Sequence, residues 1–281
     1  MIATNLLLAA VLCAFAANSV LCRLALGAQL IDPVSFTTVR LVSGAVILAL
    51  VLAARKERMR PRSAVNPVSA LALFGYAIFF SLAYVVLDTA TGALLVFAAV
   101  QLTMLSVGLV RGERPSRLVW AGAFLAASGL AYLLAPGVTA PPIGAAACMV
   151  LAGASWGIYS LRGAGKADPI TATAWNFIAA APLALVLSFL FIGDIRLSQA
   201  GIGWAVISGA VTSGLGYVLW YAVLPRLSVT TAALVQISVP PLAAFGGIGL
   251  LGEAFSARLG LASIIILGGV VLVIAGRQHE G

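Results

Sequence analysis

The chain has 281 residues, 62% hydrophobic and only 9% charged, against roughly a quarter charged in a soluble domain. That balance excludes a soluble enzyme or nucleic-acid-binding domain, because the net charge of +8 comes from basic residues clustered in short connections between long apolar runs. The runs are continuous rather than alternating, so helices and not a strand barrel satisfy the backbone in lipid.

Met1-Ile2-Ala3-Thr4-Asn5 lacks the positive region of a cleaved signal, so the first run is expected to stay as a helix. Ten spans follow, at residues 6–26, 34–54, 67–87, 90–110, 118–135, 143–161, 169–192, 201–223, 230–250 and 258–276. Most are long enough to cross a hydrocarbon layer of about 30 Å. Asp32-Pro33, Asn66-Pro67 and Asp168-Pro169 each place a capping side chain before a proline, which suits a helix start. Cys13, Cys22 and Cys148 fall inside apolar runs and read as small packed side chains. No metal-ligand spacing, phosphate-binding loop or nucleophile with its base occurs, so no metal, cofactor or catalytic residue is expected. The ninth run carries Pro240-Pro241 at its middle, which leaves carbonyls of the preceding turn without helical partners. Such a break survives at membrane depth only where it is packed in protein or lines a wet cavity.

With ten spans, twelve of the sixteen basic residues fall on one side, and the positive-inside rule places both termini in the cytoplasm. Gly112-Glu113, Ser116 and Gly129 recur as Gly252-Glu253, Ser256 and Gly269, 140 residues later, and Asp32-Pro33 recurs as Asp168-Pro169 at offset 136. The expected architecture is an all-α polytopic membrane protein of two five-helix repeats, residues 1–138 and 139–281, forming one transmembrane domain. Five is odd, so the second repeat enters the membrane from the opposite face, an inverted arrangement that transporters use repeatedly.

These residues resemble the drug/metabolite transporter superfamily, EamA type, over nearly the whole chain. The likeness rests on Pro241-x-x-Ala244 followed by Leu250-Leu251-Gly252-Glu253, on the Gly-rich helix after each Gly-Glu, and on Ser155-Trp156-Gly157 early in the second half. Within the family the chain is similar to YddG-type aromatic amino-acid exporters. The resemblance implies ten helices in two inverted halves and a transport activity. The fourth helix of the family often carries a mid-span proline, where this chain has Val100-Gln101.

Every acid falls in a loop or at a span end and the single histidine, His279, is in the tail, so a midplane proton relay is not expected. Arg40 is the one charge well inside a span; it could attract a carboxylate or phosphate, and the preferred reading is that it reaches outward or meets Asp32. Tyr76, Phe80 and Tyr84 share one helical face, as do Phe97 and Gln101. Polar groups near mid-span must face protein, water or ligand. The expected substrate-binding residues are Asn18, Tyr76, Phe80, Gln101, Trp156, Tyr159, Gln236 and Ser238, in a cavity between helices 1, 3, 4, 6, 8 and 9. Together these features point to a multi-pass inner-membrane exporter of small neutral or zwitterionic metabolites, aromatic or apolar amino acids first among them. The alternatives are a nucleotide-sugar, drug or other metabolite transporter of the same superfamily, and a membrane scaffold without cargo. The expected partners are a small-molecule substrate and the lipid bilayer, with no nucleic acid. The sequence leaves the oligomeric state open and is compatible with a monomer.

Overall fold

The computed structural model describes residues 2–55, 66–112, 114–137, 140–163, 168–223, 226 and 235–278. Glu57, Glu113, Lys166, His279, Glu280, the basic stretch after Arg55 and the start of the ninth span lie outside the described residues. Helices run over Ile2–Gly27 (α1), Pro33–Ala54 (α2), Pro67–Tyr84 (α3), Thr89–Val110 (α4) and Arg117–Leu134 (α5). They continue over Ile143–Gly163 (α6), Pro169–Leu190 (α7), Gln199–Val223 (α8), Val239–Leu251 (α9) and Ala257–Gln278 (α10). Among the described residues nine helices are long and apolar enough to cross a membrane, and α9 is shorter. Phe124, Phe189, Phe245 and Ile264 are exposed on the outside of the bundle, as hydrocarbon-facing side chains are.

Helix starts follow the local chemistry. The amides of Ser35, Ser69 and Thr171 donate to Asp32 Oδ1, Asn66 Oδ1 and Asp168 Oδ1 at 2.8, 3.1 and 3.1 Å, with a proline in the first turn each time. The Gly-Glu echo has a conformational cause as well. Gly112 (φ +86°) and Gly252 (φ +67°) both adopt the left-handed conformation that ends a helix, which costs glycine nothing. Ser116 and Ser256 then start α5 and α10 by accepting the amides of Val119 and Leu259.

Packing repeats between the halves. Helix α1 lies against α8 and α9, and α6, its counterpart, lies against α3 and α4. The pairs α2 with α7, α4 with α9 and α5 with α10 meet across the seam, as a two-fold relation between five-helix repeats requires. Helices α5 and α10 touch backbone to backbone: a Cβ on Gly122 would come within 2.7 Å of the Val273 amide, and one on Gly269 within 2.6 Å of the Gly122 carbonyl. Small residues are what let helices approach this closely in lipid. Gly269→Val is therefore expected to cost about 2 kcal/mol through forced separation of the pair, read as a lower melting temperature in detergent. An unchanged melting temperature would show that the pair yields freely.

Among the described residues the halves differ at the ninth and eighth spans. Helix α4 is unbroken through Val100-Gln101, whereas on the ninth span residues 237–238 form a turn and the helix begins again at Val239, with the two prolines in its first turn. The uniform helix expected over 201–223 also proves different: α8 carries a π-helical segment, Ile207–Leu215, at its centre. Its wider turn is laid against α2 through glycine, since a Cβ on Gly209 would overlap the Arg40 carbonyl and the Ser43 hydroxyl.

Candidate functional site

At the seam of the repeats lies a cavity with about 520 Å³ of space free of protein atoms. Helices α1, α3, α4, α6 and α8 and Gln236, just ahead of the turn before α9, all contribute to its lining. Its walls are aromatic. Trp156 stands 4.9 Å from Tyr76 and 5.3 Å from Tyr217 between ring centroids, Tyr76 is 5.1 Å from Phe80, and Phe15 is 6.0 Å from Tyr217. Contacts at these separations hold each ring in place while leaving its free face to the cavity.

The polar part of the lining is a connected web. Asn18 on α1 accepts from the hydroxyls of Ser208 (2.7 Å) and Thr212 (3.1 Å) with one oxygen, and its amide nitrogen donates to Tyr76 Oη at 3.3 Å. Thr212 has one hydroxyl proton and a nearer acceptor in the Ser208 carbonyl at 2.9 Å, and Asn18 keeps a second N–H for a ligand. Ser208, Thr212 and Ser213 all lie on the π-helical segment of α8.

Five of the side chains selected from the sequence, Asn18, Tyr76, Phe80, Trp156 and Gln236, meet on this cavity. The other three sit elsewhere. Gln101 lies one turn along α4 from the lining residue Phe97 and outside the lining. Ser238 turns its hydroxyl back to the Val235 carbonyl at 2.6 Å, closing the turn before α9. Tyr159 is buried with its ring 5.3 Å from Trp156, and it lines a second, smaller cavity of about 290 Å³ with Asn66, Arg162, Thr173 and Tyr221. Trp156 and Tyr159 thus stand as a partition between the two spaces. Thr212, Ser213 and Tyr217 were not legible as lining residues, because a plain 3.6-residue period does not give the register of a π-helical turn.

Arg40 corrects a sequence expectation. It neither reaches outward nor meets Asp32, whose carboxylate accepts the amides of Ser35 and Arg196 at 2.8 and 3.0 Å. The side chain is 2% exposed, with its guanidinium 5.1 Å from the Tyr76 ring centre and 5.4 Å from that of Phe80. Nε donates to Ser213 Oγ at 3.2 Å and Nη2 to Tyr76 Oη at 3.4 Å. Residue 40 falls on the face of α2 that packs against α3 and α8, so the aromatic faces and hydroxyls of those helices receive the cation instead of water.

At the helix ends that carry the α1–α2, α3–α4 and α9–α10 connections, a second polar cluster ties the repeats together. Glu253 accepts the Thr89 amide at 2.9 Å and Arg23 Nε at 3.2 Å, and Arg23 Nη2 reaches Asp88 at 3.5 Å. The same arginine donates from Nη1 to the carbonyl of Val85 at 3.1 Å.

With that geometry in view, similarity to known proteins is informative. The chain is 48% identical to an uncharacterized protein of Pseudomonas aeruginosa over 274 residues, 98% of this chain and 95% of that one. It is 30% identical to the threonine/homoserine exporter RhtA of Escherichia coli over 182 residues, 61% of this chain and 58% of the exporter. A protein crystal structure shares the fold, with a TM-score of 0.67 at 21% identity over 97% of this chain and 99% of the other. The profile of the EamA-like transporter family matches residues 2–135 and again residues 142–275. Matched over both halves of its length, this multi-pass membrane protein belongs to the EamA-like transporter family.

Proposed function

We propose that the protein is a secondary transporter that exports small neutral or zwitterionic metabolites, aromatic and apolar amino acids above all, across the inner membrane. The observation that carries this reading is the cavity wall, where Tyr76, Phe80, Trp156 and Tyr217 make an aromatic enclosure edged by the amides of Asn18 and Gln236. Ring faces suit an apolar or aromatic side chain, and the polar edge suits an amino-acid backbone. The similarity to RhtA, named for threonine and homoserine export, supports the class of cargo, and the aromatic lining supports the narrower likeness to YddG-type exporters.

Both termini lie in the cytoplasm in this reading, and the repeats 1–138 and 139–281 rock against each other to give alternating access. The cluster around Glu253 then closes the outer end. A nucleotide-sugar cargo would call for several cations around the cavity; among the described residues no cation lines it, and Arg40 stands one layer behind the lining residues Tyr76 and Ser213.

The test is counterflow. Liposomes holding the purified protein and loaded with unlabelled phenylalanine are expected to accumulate external labelled phenylalanine above protein-free liposomes, and to continue when the pH gradient is collapsed. Absence of flux with all the common amino acids would overturn the reading in favour of another cargo or a scaffold. Flux that stopped without a pH gradient would show obligatory proton coupling.

A further inference from the structure

We propose that Tyr76 and Ser213, held and charged from behind by Arg40, form the seat of a single carboxylate on the transported molecule. The inference rests on the transport reading above and adds to it which chemical group the cargo must carry.

The first reason is an unbalanced charge. An arginine stays protonated, and a cation removed from water calls for an anion. The titratable side chains around Arg40 are Tyr76, Cys22 and Tyr217, with no acid among them. The described acids are placed elsewhere: Asp32 on the amides of Ser35 and Arg196, Asp88 and Glu253 on Arg23, Asp168 at the start of α7 and Asp194 in an exposed turn. Aromatic faces offset part of the cost of burying the guanidinium but carry no net charge.

The second reason is a count of donors. Tyr76 Oη accepts from both Asn18 Nδ2 and Arg40 Nη2, which fills its two lone pairs and leaves its own proton to give. Ser213 Oγ accepts from Arg40 Nε in the same way. Among the described residues neither hydroxyl has an acceptor for its proton, and both residues line the cavity. Arg40 Nη1 is buried and meets no oxygen acceptor, with only the weakly accepting Cys22 sulfur near the guanidinium. Two cavity hydroxyls with protons to donate, backed by a cation one layer behind them, make a site for an oxyanion with one negative charge. A phosphate ester, with up to two charges, would leave one uncompensated. The cation supplies the field and orients the hydroxyls, so Arg40 is a positioning residue and Tyr76 and Ser213 are the contacts.

The experiment compares ligands that differ only at the carboxyl group. Affinities of L-phenylalanine and L-phenylalaninamide are measured by competition in counterflow and by thermal shift, for the unchanged protein and for Tyr76→Phe, Arg40→Lys and Arg40→Gln. The acid is expected to bind at least about tenfold more tightly than the amide, as the loss of a charge-assisted hydrogen bond implies. Tyr76→Phe keeps the ring in place and is expected to reduce that acid-to-amide ratio about tenfold. Arg40→Lys keeps part of the ratio and Arg40→Gln abolishes it; should Arg40→Gln fail to fold, Tyr76→Phe decides. Equal affinity for acid and amide in the unchanged protein would overturn the carboxylate seat while leaving amino-acid transport standing. A ratio unmoved by Tyr76→Phe would also overturn it. Failure of every amino acid and amide to bind or exchange would overturn the transport reading and the seat together.

Discussion

Trp156→Ala is expected to lower exchange of aromatic amino acids by at least about tenfold, mainly through weaker substrate binding, because the indole is the one ring in contact with Tyr76, Tyr159 and Tyr217 at once. Each aromatic contact is worth about 0.5–1.5 kcal/mol beyond area, so losing several both frees the neighbouring rings and removes the largest surface a side chain could lie against. The same change removes half of the partition between the two cavities. Trp156→Phe retains an aromatic face and is expected to recover much of the loss. The half-saturation concentration for phenylalanine, compared with that for threonine, checks the assignment. Equal losses for the two would mean that Trp156 supports the fold rather than reading the side chain.

Glu253→Ala is expected to be the most destabilising change at the surface of the bundle. The carboxylate, 9% exposed, takes the Thr89 amide on both oxygens and Arg23 Nε on one. Its removal strips the first turn of α4 of a carboxylate that accepts its amide and complements the helix dipole, and leaves Arg23, 22% exposed, with Asp88 at 3.5 Å as its remaining charged partner beside the Val85 carbonyl. Breaking one partner of such a pair costs about 3 kcal/mol. Thermal unfolding of Arg23→Ala, Glu253→Ala and the double variant checks this, and losses that simply add would show the pair to be uncoupled. The cluster joins α1, the α3–α4 connection and the end of α9, so an opening of this end must break it. With Cys13 and Cys148 replaced by serine, buried Cys22, next to Arg23, is therefore expected to react faster with a water-soluble maleimide in Glu253→Ala than in the parent. An unchanged rate would show that the cluster does not hold that end shut.

Much of this protein is legible in its order of residues because lipid leaves few choices. Backbone groups in hydrocarbon must bond within their own segment, so each long apolar run becomes a helix, and Asp-Pro, Asn-Pro and Gly-Glu mark where helices begin and end. Even the aromatic wall could be read in part, since Tyr76 and Phe80 are one turn apart on a single helix and share a face whatever the helix packs against. What the order of residues could not show is which faces of different helices meet. Gln101 has the right chemistry but is not part of the cavity lining, and Ser238 spends its hydroxyl on its own turn. Arg40 is the sharpest case. At its depth in α2 an arginine can extend to the interface, and only the packing of α3 and the π-helical segment of α8 around it, allowed by a glycine at position 209, turns the cation inward. Span, cap and repeat are local properties carried by neighbours in the chain. The direction in which a buried charge faces is set by the helices that surround it, and those come from opposite halves of the sequence.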